Sequence, residues 1–271
     1  MKNIPKISVI MSVYNTETYL EDAINSILCQ SFIDFEFLIV DDFSTDNSVM
    51  ILELCAKKDD RIKIFRNNEN FGLTKNLNKL LHLANGEYIA RMDADDISEL
   101  NRFEKQIDFL ENHKNIDIVG SFSKNINNKG EIIGSRTMPI MHSDIIRLLP
   151  KLCPISHPTV IFRKDSLAKI GFYNIKHKRS QDYDMWFRAA AADLEFHNIP
   201  EFLFNYRMDE NYLSRKSFKD SWRDFKIILE GYKHINLPFY KYHFSLLTLA
   251  SAFTPAFLLP LLRRIDPRQE K

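Results

Sequence analysis

Glycine is scarce, at 7 of 271 residues. Dinucleotide and P-loop phosphate cradles need closely spaced glycines, and neither G-x-G-x-x-G nor G-x-x-x-x-G-K-[ST] occurs. Those two nucleotide-binding loops are therefore not expected. Cysteine is equally sparse. Cys29, Cys55 and Cys153 are far apart and form no C-x-x-C pair, which argues against a zinc site and a disulfide framework. They read as reduced core residues of a cytosolic protein. Net charge is small, +1, so no global field points to nucleic acid and no nucleic-acid partner is expected. There are no internal repeats. Met1 to Lys6 leads directly into a strand without a signal-peptide pattern.

What is present is an ordinary globular balance, 45% hydrophobic and 27% charged, on a chain long enough for one large α/β domain or two small ones. The charge is uneven. Residues 214–271 hold 11 Lys and Arg against 5 Asp and Glu, a local net of +6 that leaves −5 on the rest. A basic tail on an acidic body points to a surface partner for the tail. Within it, Phe244 to Leu262 is almost uncharged and is bounded by His243 and by Arg263-Arg264. That run approaches the length of a bilayer span, but Pro255 and Pro260 would kink it. A peripheral membrane contact through residues 244–264 is expected rather than a clean span.

Ile7 to Tyr14 reads as a buried parallel strand, followed by a helix with apolar positions at Leu20, Ala23, Ile24, Ile27 and Leu28. Phe35 to Val40 is a second strand and Ile62 to Phe65 a third. A helix between them runs from the Ser44–Ser48 cap to about Lys58, and another follows Gly72 to about Ala84. Gly86 to Ala90 turns into a fourth strand. Strand and helix alternate at short spacing, the pattern of a parallel sheet with right-handed crossovers. Ligands of such sheets bind beyond the carboxyl ends of the strands. Tyr14-Asn15, Asp41-Asp42 and Asp93 to Asp96 all fall at such ends, so they should converge on one crevice.

The second part is less regular. Helices are expected over Asn101–Asn112, Ser143–Leu149, Asp165–Ile170 (closed by Gly171) and Gln181–Ala192. Strands are expected over Asp117–Phe122 and Thr159–Arg163, with a hairpin turn at Asn127–Gly130. Ser217 to Tyr232 is also expected to be helical.

Arg91-Met92-Asp93-Ala94-Asp95-Asp96 places three carboxylates within four residues at a strand end. They repel one another unless a cation or strong donors neutralise them. Hard oxygen ligands suit Mg²⁺ or Mn²⁺, which commonly bridge to substrate phosphates. A solvated acidic turn is the alternative reading of these residues alone.

Six motifs in order resemble the family 2 glycosyltransferases. They are Ser8 to Asn15, Leu38 to Asp46, Asn70-Phe71-Gly72-Leu73, Asp93-Ala94-Asp95-Asp96, Ser156-His157-Pro158-Thr159 and Gln181 to Arg188. The resemblance covers about Lys6 to Ser214. It implies an α/β GT-A (Rossmann-like) fold, a mostly parallel central sheet flanked by helices with a helical C-terminal extension. It divides the chain into a catalytic domain, 1–213, and a basic, apolar tail, 214–271. Residues 1–100 form the nucleotide-sugar half of that domain and 101–213 the acceptor half.

The activity implied is inverting transfer of a hexosyl-type sugar from a nucleotide-diphosphate donor, UDP by resemblance. The acceptor is a hydroxyl of a glycan or lipid-linked molecule in cell-surface polysaccharide synthesis, at the cytoplasmic face of the membrane. By position, Asp93 and Asp95 hold donor and divalent metal (Mn²⁺ or Mg²⁺), with Asp95 the closer metal contact. Asp42, beside Asp41, accepts from the base. Ser12, Tyr14 and Glu17 wall the base and ribose, Lys75 lies near the donor, and Arg207 falls in a segment that closes over the donor phosphates. Asp182 is the general base, in a Gln181-Asp182 pair where the family usually has Glu-Asp. His157 and Gln181 lie toward the acceptor. Trp186 is read as core and Arg188 as the partner of Asp184. A nucleotidyltransferase, or an inactive nucleotide-sugar-binding protein, is the competing reading.

Overall fold

The computed structural model describes residues 4–208 and 218–246. Its first four strands are β1 (Ile7–Val13), β2 (Phe35–Asp41), β3 (Ile62–Arg66) and β4 (Tyr88–Arg91). They alternate with α1 (Leu20–Leu28), α2 (Ser48–Lys58) and α3 (Leu73–Leu83). β1 pairs in parallel with β2 and β4, and β2 with β3, giving the order β3-β2-β1-β4. β1, β2 and β4 are buried and mostly apolar because helices cover both faces of the sheet. Alternate residues separate the two cores. Val9, Met11, Phe37 and Ile39 pack with α1 and α2, whereas Ile10, Leu38 and Val40 pack with Leu77 and Leu80 of α3.

Gly86 makes the turn into β4 possible. A Cβ there would lie 2.5 Å from the backbone nitrogen of Ser8. The Gly86 amide instead donates to Ser8 Oγ at 2.8 Å, and Ser8 Oγ donates to the buried Glu36 carboxylate at 2.7 Å. A polar brace thus fixes the start of β4 against β1 and β2, and with it the direction of the acidic stretch at the other end.

The remaining strands are β5 (Ile97–Ser98), β6 (Ile118–Ile126), β7 (Ile132–Arg136), β8 (Ile161–Arg163) and β9 (Phe196–Arg207). The helices are α4 (Arg102–Asn112), α5 (His142–Leu148), α6 (Ser166–Ile170), α7 (Gln181–Ala191) and α8 (Phe218–His234). They extend one sheet in the order β4-β8-β6-β9-β5, with β7 a hairpin on β6. β8 runs antiparallel to β4 and β6, and β5 antiparallel to β9, while β6 and β9 are parallel, so the sheet is mixed but mostly parallel. Of the expected Thr159–Arg163 strand, His157–Thr159 forms a 3₁₀ turn and only Ile161–Arg163 is strand.

β9 was not expected, and Pro200 explains why. The β6–β9 register jumps from Ser121↔Ile199 to Phe122↔Phe202, leaving Pro200 and Glu201 in a bulge. A proline that would break an ordinary strand is accommodated there because a bulge frees it from the ladder.

Two corrections concern the cysteines. Cys55 is buried as expected, but Cys29 is exposed and Cys153 half-buried. Cys29 follows the last turn of α1 and lies off that helix's apolar stripe of Leu20, Ala23, Ile24 and Ile27. α8 packs on α7, where Gly231 lies against the Phe187 ring too closely to admit a Cβ. Among the described residues no helix is long and apolar enough to cross a membrane. Most of the 244–264 run, from residue 247 on, lies outside the described residues.

Candidate active site

Three strand ends form the rim. On β1 and β2, the Asp42 amide donates to Val13 O at 2.8 Å, placing Asp42 beside the end of β1. The Asp42 carboxylate is buried and accepts from Asn67 Nδ2 (2.9 Å), Phe71 N (2.8 Å) and Gly72 N (2.8 Å). Asn67 also donates to Asn76, and Asn76 to Ser12 Oγ at 3.0 Å. Asp42 and Ser12 are therefore two ends of one network that fixes the loop before α3. Tyr14 is 49% exposed on the same rim. Glu17 is turned to the next loop, accepting from the Asn47 amide at 2.8 Å and its side chain at 2.7 Å. A cavity of about 360 Å³ opens beside the 69–75 loop, and Lys75, Phe71, Ile175 and Lys178 are among its walls. Lys75 stands exposed, with Nζ 5.3 Å from the Phe71 ring centre.

The acidic stretch leaves β4 held from both sides. The Arg91 amide donates to Val160 O and the Met92 amide to Ile10 O. Beyond it, β5 pairs Ile97 with Asn205 and Ser98 with Phe204. β9 then delivers Arg207. Its amide donates to Asp96 Oδ1 at 2.7 Å and its Nε to Asp95 O at 2.7 Å, while its guanidinium lies 4.2 Å from the Tyr19 ring centre.

Asp93 is paired with the buried Arg91. Asp95 is half-buried, and burial, with the Asp93 charge beside it, pushes its carboxyl up to about 6. Asp96 is buried and is pushed well above the carboxylate range by burial and then by Asp93 and Asp95. Its Oδ2 has no hydrogen-bond partner among the described residues. Crowded carboxylates that resist ionisation, one with an unpaired oxygen, are a donor set that fits a hard divalent cation. No three His, Cys, Asp or Glu side chains form a closed metal site among the described residues, so such a cation would need oxygens from substrate or water.

α7 brings the second carboxylate. Asp182 sits in its first turn, half-buried, and burial pushes its carboxyl up to about 6. The Cys153 thiol lies 4.0 Å from its Oδ2. The Arg91 charge helps lower the titration of Asp182, Asp95 and Asp96 alike, so the end of β4 and the start of α7 share its field. Gln181 is buried, and its Oε1 has no partner among the described residues.

The other second-half residues are structural. Asp184 is buried and binds Arg188 Nε at 2.9 Å, and Trp186 is fully buried, as expected for both. His157 packs inside rather than lining an open cleft. Its Nε2 is 2.8 Å from the Tyr173 hydroxyl, its ring meets Trp186 edge-on, and burial holds its titration well below the ordinary range. Tyr173 is clamped in turn by Asn78 of α3, which donates to its carbonyl at 2.8 Å and accepts from its amide at 3.0 Å. Asp209 and Asn211, which follow Arg207, lie outside the described residues.

Arg91 and Arg102 were not among the expected site residues. Arg102 is fully buried behind the stretch and donates to Arg91 O at 2.9 Å. The available signal was an arginine opening the acidic run on a strand that has no exposed face.

Comparison with known proteins follows the same residues. The profile of "Glycosyl transferase family 2" matches residues 8–171. The "Putative glycosyltransferase EpsE" of Bacillus subtilis is 34% identical over 96% of this chain and 93% of that protein. The "O-antigen biosynthesis glycosyltransferase WbnJ" of Escherichia coli is 34% identical over 74% of this chain and 79% of its own. In fold, the chain is similar to S. aureus TarS 1-349, solved in complex with UDP-GlcNAc. The TM-score is 0.70 at 23% identity, over 94% of this chain and 73% of that one.

Proposed function

Because the chain belongs to glycosyl transferase family 2 and is a glycosyltransferase of the GT-A fold, we propose a specific reaction for it. It transfers a sugar with inversion from a UDP-sugar to a hydroxyl of a glycan or lipid-linked acceptor in cell-surface polysaccharide synthesis, at the cytoplasmic face of the membrane. The observation that carries this reading is the crowding of Asp93, Asp95 and Asp96 at the end of β4, held by Arg91 and Arg207, with Asp182 of α7 within the field of the same Arg91. Donor activation and proton removal need separate carboxylates, and these two groups are the candidates for the two tasks.

Asp93 and Asp95 would hold a divalent cation against the donor diphosphate, and that cation supplies charge neutralisation for the departing phosphate. Arg207, whose Nε is fixed on the Asp95 carbonyl, brings a second positive charge to the same place. Ser12, Tyr14, Glu17, Asp42 and Lys75 frame the nucleoside end, with Asp42 holding the 67–72 loop in shape.

Asp182 accepts the proton of the acceptor hydroxyl as its oxygen bonds to the anomeric carbon. The bond from that carbon to the phosphate oxygen breaks, and the nucleoside diphosphate leaves with the electron pair. An aspartate titrating near 6 is ionised at neutral pH yet more basic than an ordinary one, which suits a general base. Support for the donor comes from TarS, solved with UDP-GlcNAc, and for the pathway from WbnJ, named for O-antigen biosynthesis.

The test is binding and turnover of a panel of nucleotide sugars with and without Mn²⁺. UDP-sugars should bind and Mn²⁺ should raise turnover. If no nucleotide sugar binds, the reading fails.

A further inference from the structure

From Gly231 to Ile265 the chain contains no Asp or Glu, while Lys233, Lys241, Arg263 and Arg264 fall within it. The described part ends in a 3₁₀ turn, Phe239–Ser245, followed by Leu246. Two adjacent aromatic side chains stand out from this turn: Phe239 is 84% exposed and Tyr240 73%, with Leu246 at 55%. Aromatic surface left this open, with no carboxylate near it in sequence, is not how a soluble surface is ordinarily finished.

The turn is anchored. Tyr242 packs on Phe239 (ring centres 5.2 Å) and on the buried Tyr232 of α8 (5.1 Å), and Ser245 Oγ donates to Tyr242 O. Cations flank it. Lys241 lies beside the Tyr240 ring, Lys151 Nζ is 4.9 Å from the Phe244 ring centre, and Lys233 is exposed at the end of α8. Lys151 also locates the edge. Two residues after it in the chain comes Cys153, whose thiol lies 4.0 Å from Asp182 Oδ2.

We propose that this edge is a docking surface for an anionic lipid bilayer, with Phe239 and Tyr240 entering the interface and the flanking lysines facing the headgroups. Aromatic rings favour the interfacial layer because one end can be apolar and the other wet. Basic residues beside them add attraction to anionic lipid. Charge complementarity favours an anionic surface, and the exposed rings, with the uncharged run to Leu262 and then Arg263-Arg264 continuing the same character, favour a bilayer over an acidic protein face. The proposal rests on the membrane-face location assigned above, and because it is read by binding alone its failure leaves the transfer reaction untouched.

The experiment is flotation of the full chain with phosphatidylglycerol vesicles and with phosphatidylcholine vesicles, at low and high salt. The expected result is binding to the anionic vesicles, released by salt, and little to the neutral ones. Phe239→Ser with Tyr240→Ser should weaken partition about tenfold or more through lost apolar insertion. Lys233→Glu with Lys241→Glu should weaken it as well, and this decides the matter if the first pair does not fold. No binding to phosphatidylglycerol overturns the proposal. So does unchanged binding by both double variants, which would assign the contact to the 244–262 run alone. A dimer in solution that the aromatic variant dissolves, with vesicle binding unaffected, makes the edge a contact between copies and equally overturns it.

Discussion

The backbone amide of Arg207 donates to Oδ1 of Asp96 at 2.7 Å, closing a loop of 111 residues on the acidic stretch. Asp96 is therefore a structural member of the triplet, bound to the strand that carries Arg207, while Asp93 and Asp95 remain half-exposed. Asp96→Ala removes the acceptor of a buried amide and should cost about 1–3 kcal/mol of stability. Asp96→Asn keeps an oxygen there and should cost much less. Urea denaturation of both variants measures the difference, and equal stability of wild type and Asp96→Ala would refute the role.

Asp182→Asn should lower transfer by roughly 10² to 10⁴, the usual worth of a general base. Binding of UDP should be unchanged, because the donor residues lie on other elements. Stopped assays for transfer and calorimetry for UDP separate the two. Full transfer activity in this variant would remove Asp182 from the mechanism.

The pH dependence follows from the same side chain. Burial raises Asp182 to about 6, so the ionised base disappears as pH falls through that value. Transfer should drop nearly tenfold per unit below about pH 6. The effect on stability has the opposite sense. A raised carboxyl stabilises the fold most below its unfolded value of about 4, and that contribution is lost as pH rises through 6. Asp182→Asn should then melt higher than wild type at pH 7.5 and gain nothing at pH 4. A flat rate profile between pH 5 and 7 would contradict the assignment.

Asp95→Ala should abolish the Mn²⁺ uptake that accompanies UDP binding, with folding intact. Paramagnetic resonance of free Mn²⁺ counts the bound ion directly. Retention of wild-type uptake would shift the ligand role to Asp93 or Asp96.

Gly86→Ala forces a Cβ to within 2.5 Å of the Ser8 nitrogen, a backbone atom that cannot swing away. Overpacking of this kind costs about 1–3 kcal/mol. The melting temperature should fall, and activity should fall with it because β4 aims the acidic stretch. An unshifted melting curve would show that the turn relaxes freely.

The first half of the fold was legible because its signals are local. β1 and β2 are apolar runs covered on both faces, and α1 and α3 carry clear apolar stripes. β9 was hidden by a bulge whose reason lies in its partner: Pro200 looks like a strand breaker until β6 is beside it. The site divides in the same way. Asp93, Asp95 and Asp182 could be placed from motif position, but the burial of His157 against Tyr173 depends on contacts that no spacing encodes. Arg91 was in plain view, yet its burial beneath the stretch and its pairing with Asp93 need the folded sheet.

The bulged strand has a consequence for how the protein is made. The first hundred residues contain most of the residues proposed for the donor side, yet β5 pairs with β9, and Asp96 waits for the amide of Arg207. At roughly 5–20 residues per second of synthesis, the acidic stretch leaves the ribosome about ten seconds before the strand that completes it. An amino-terminal fragment ending near residue 100 would hold the acidic side chains without the site. The newborn chain completes its acidic end only when the sheet closes from the far end.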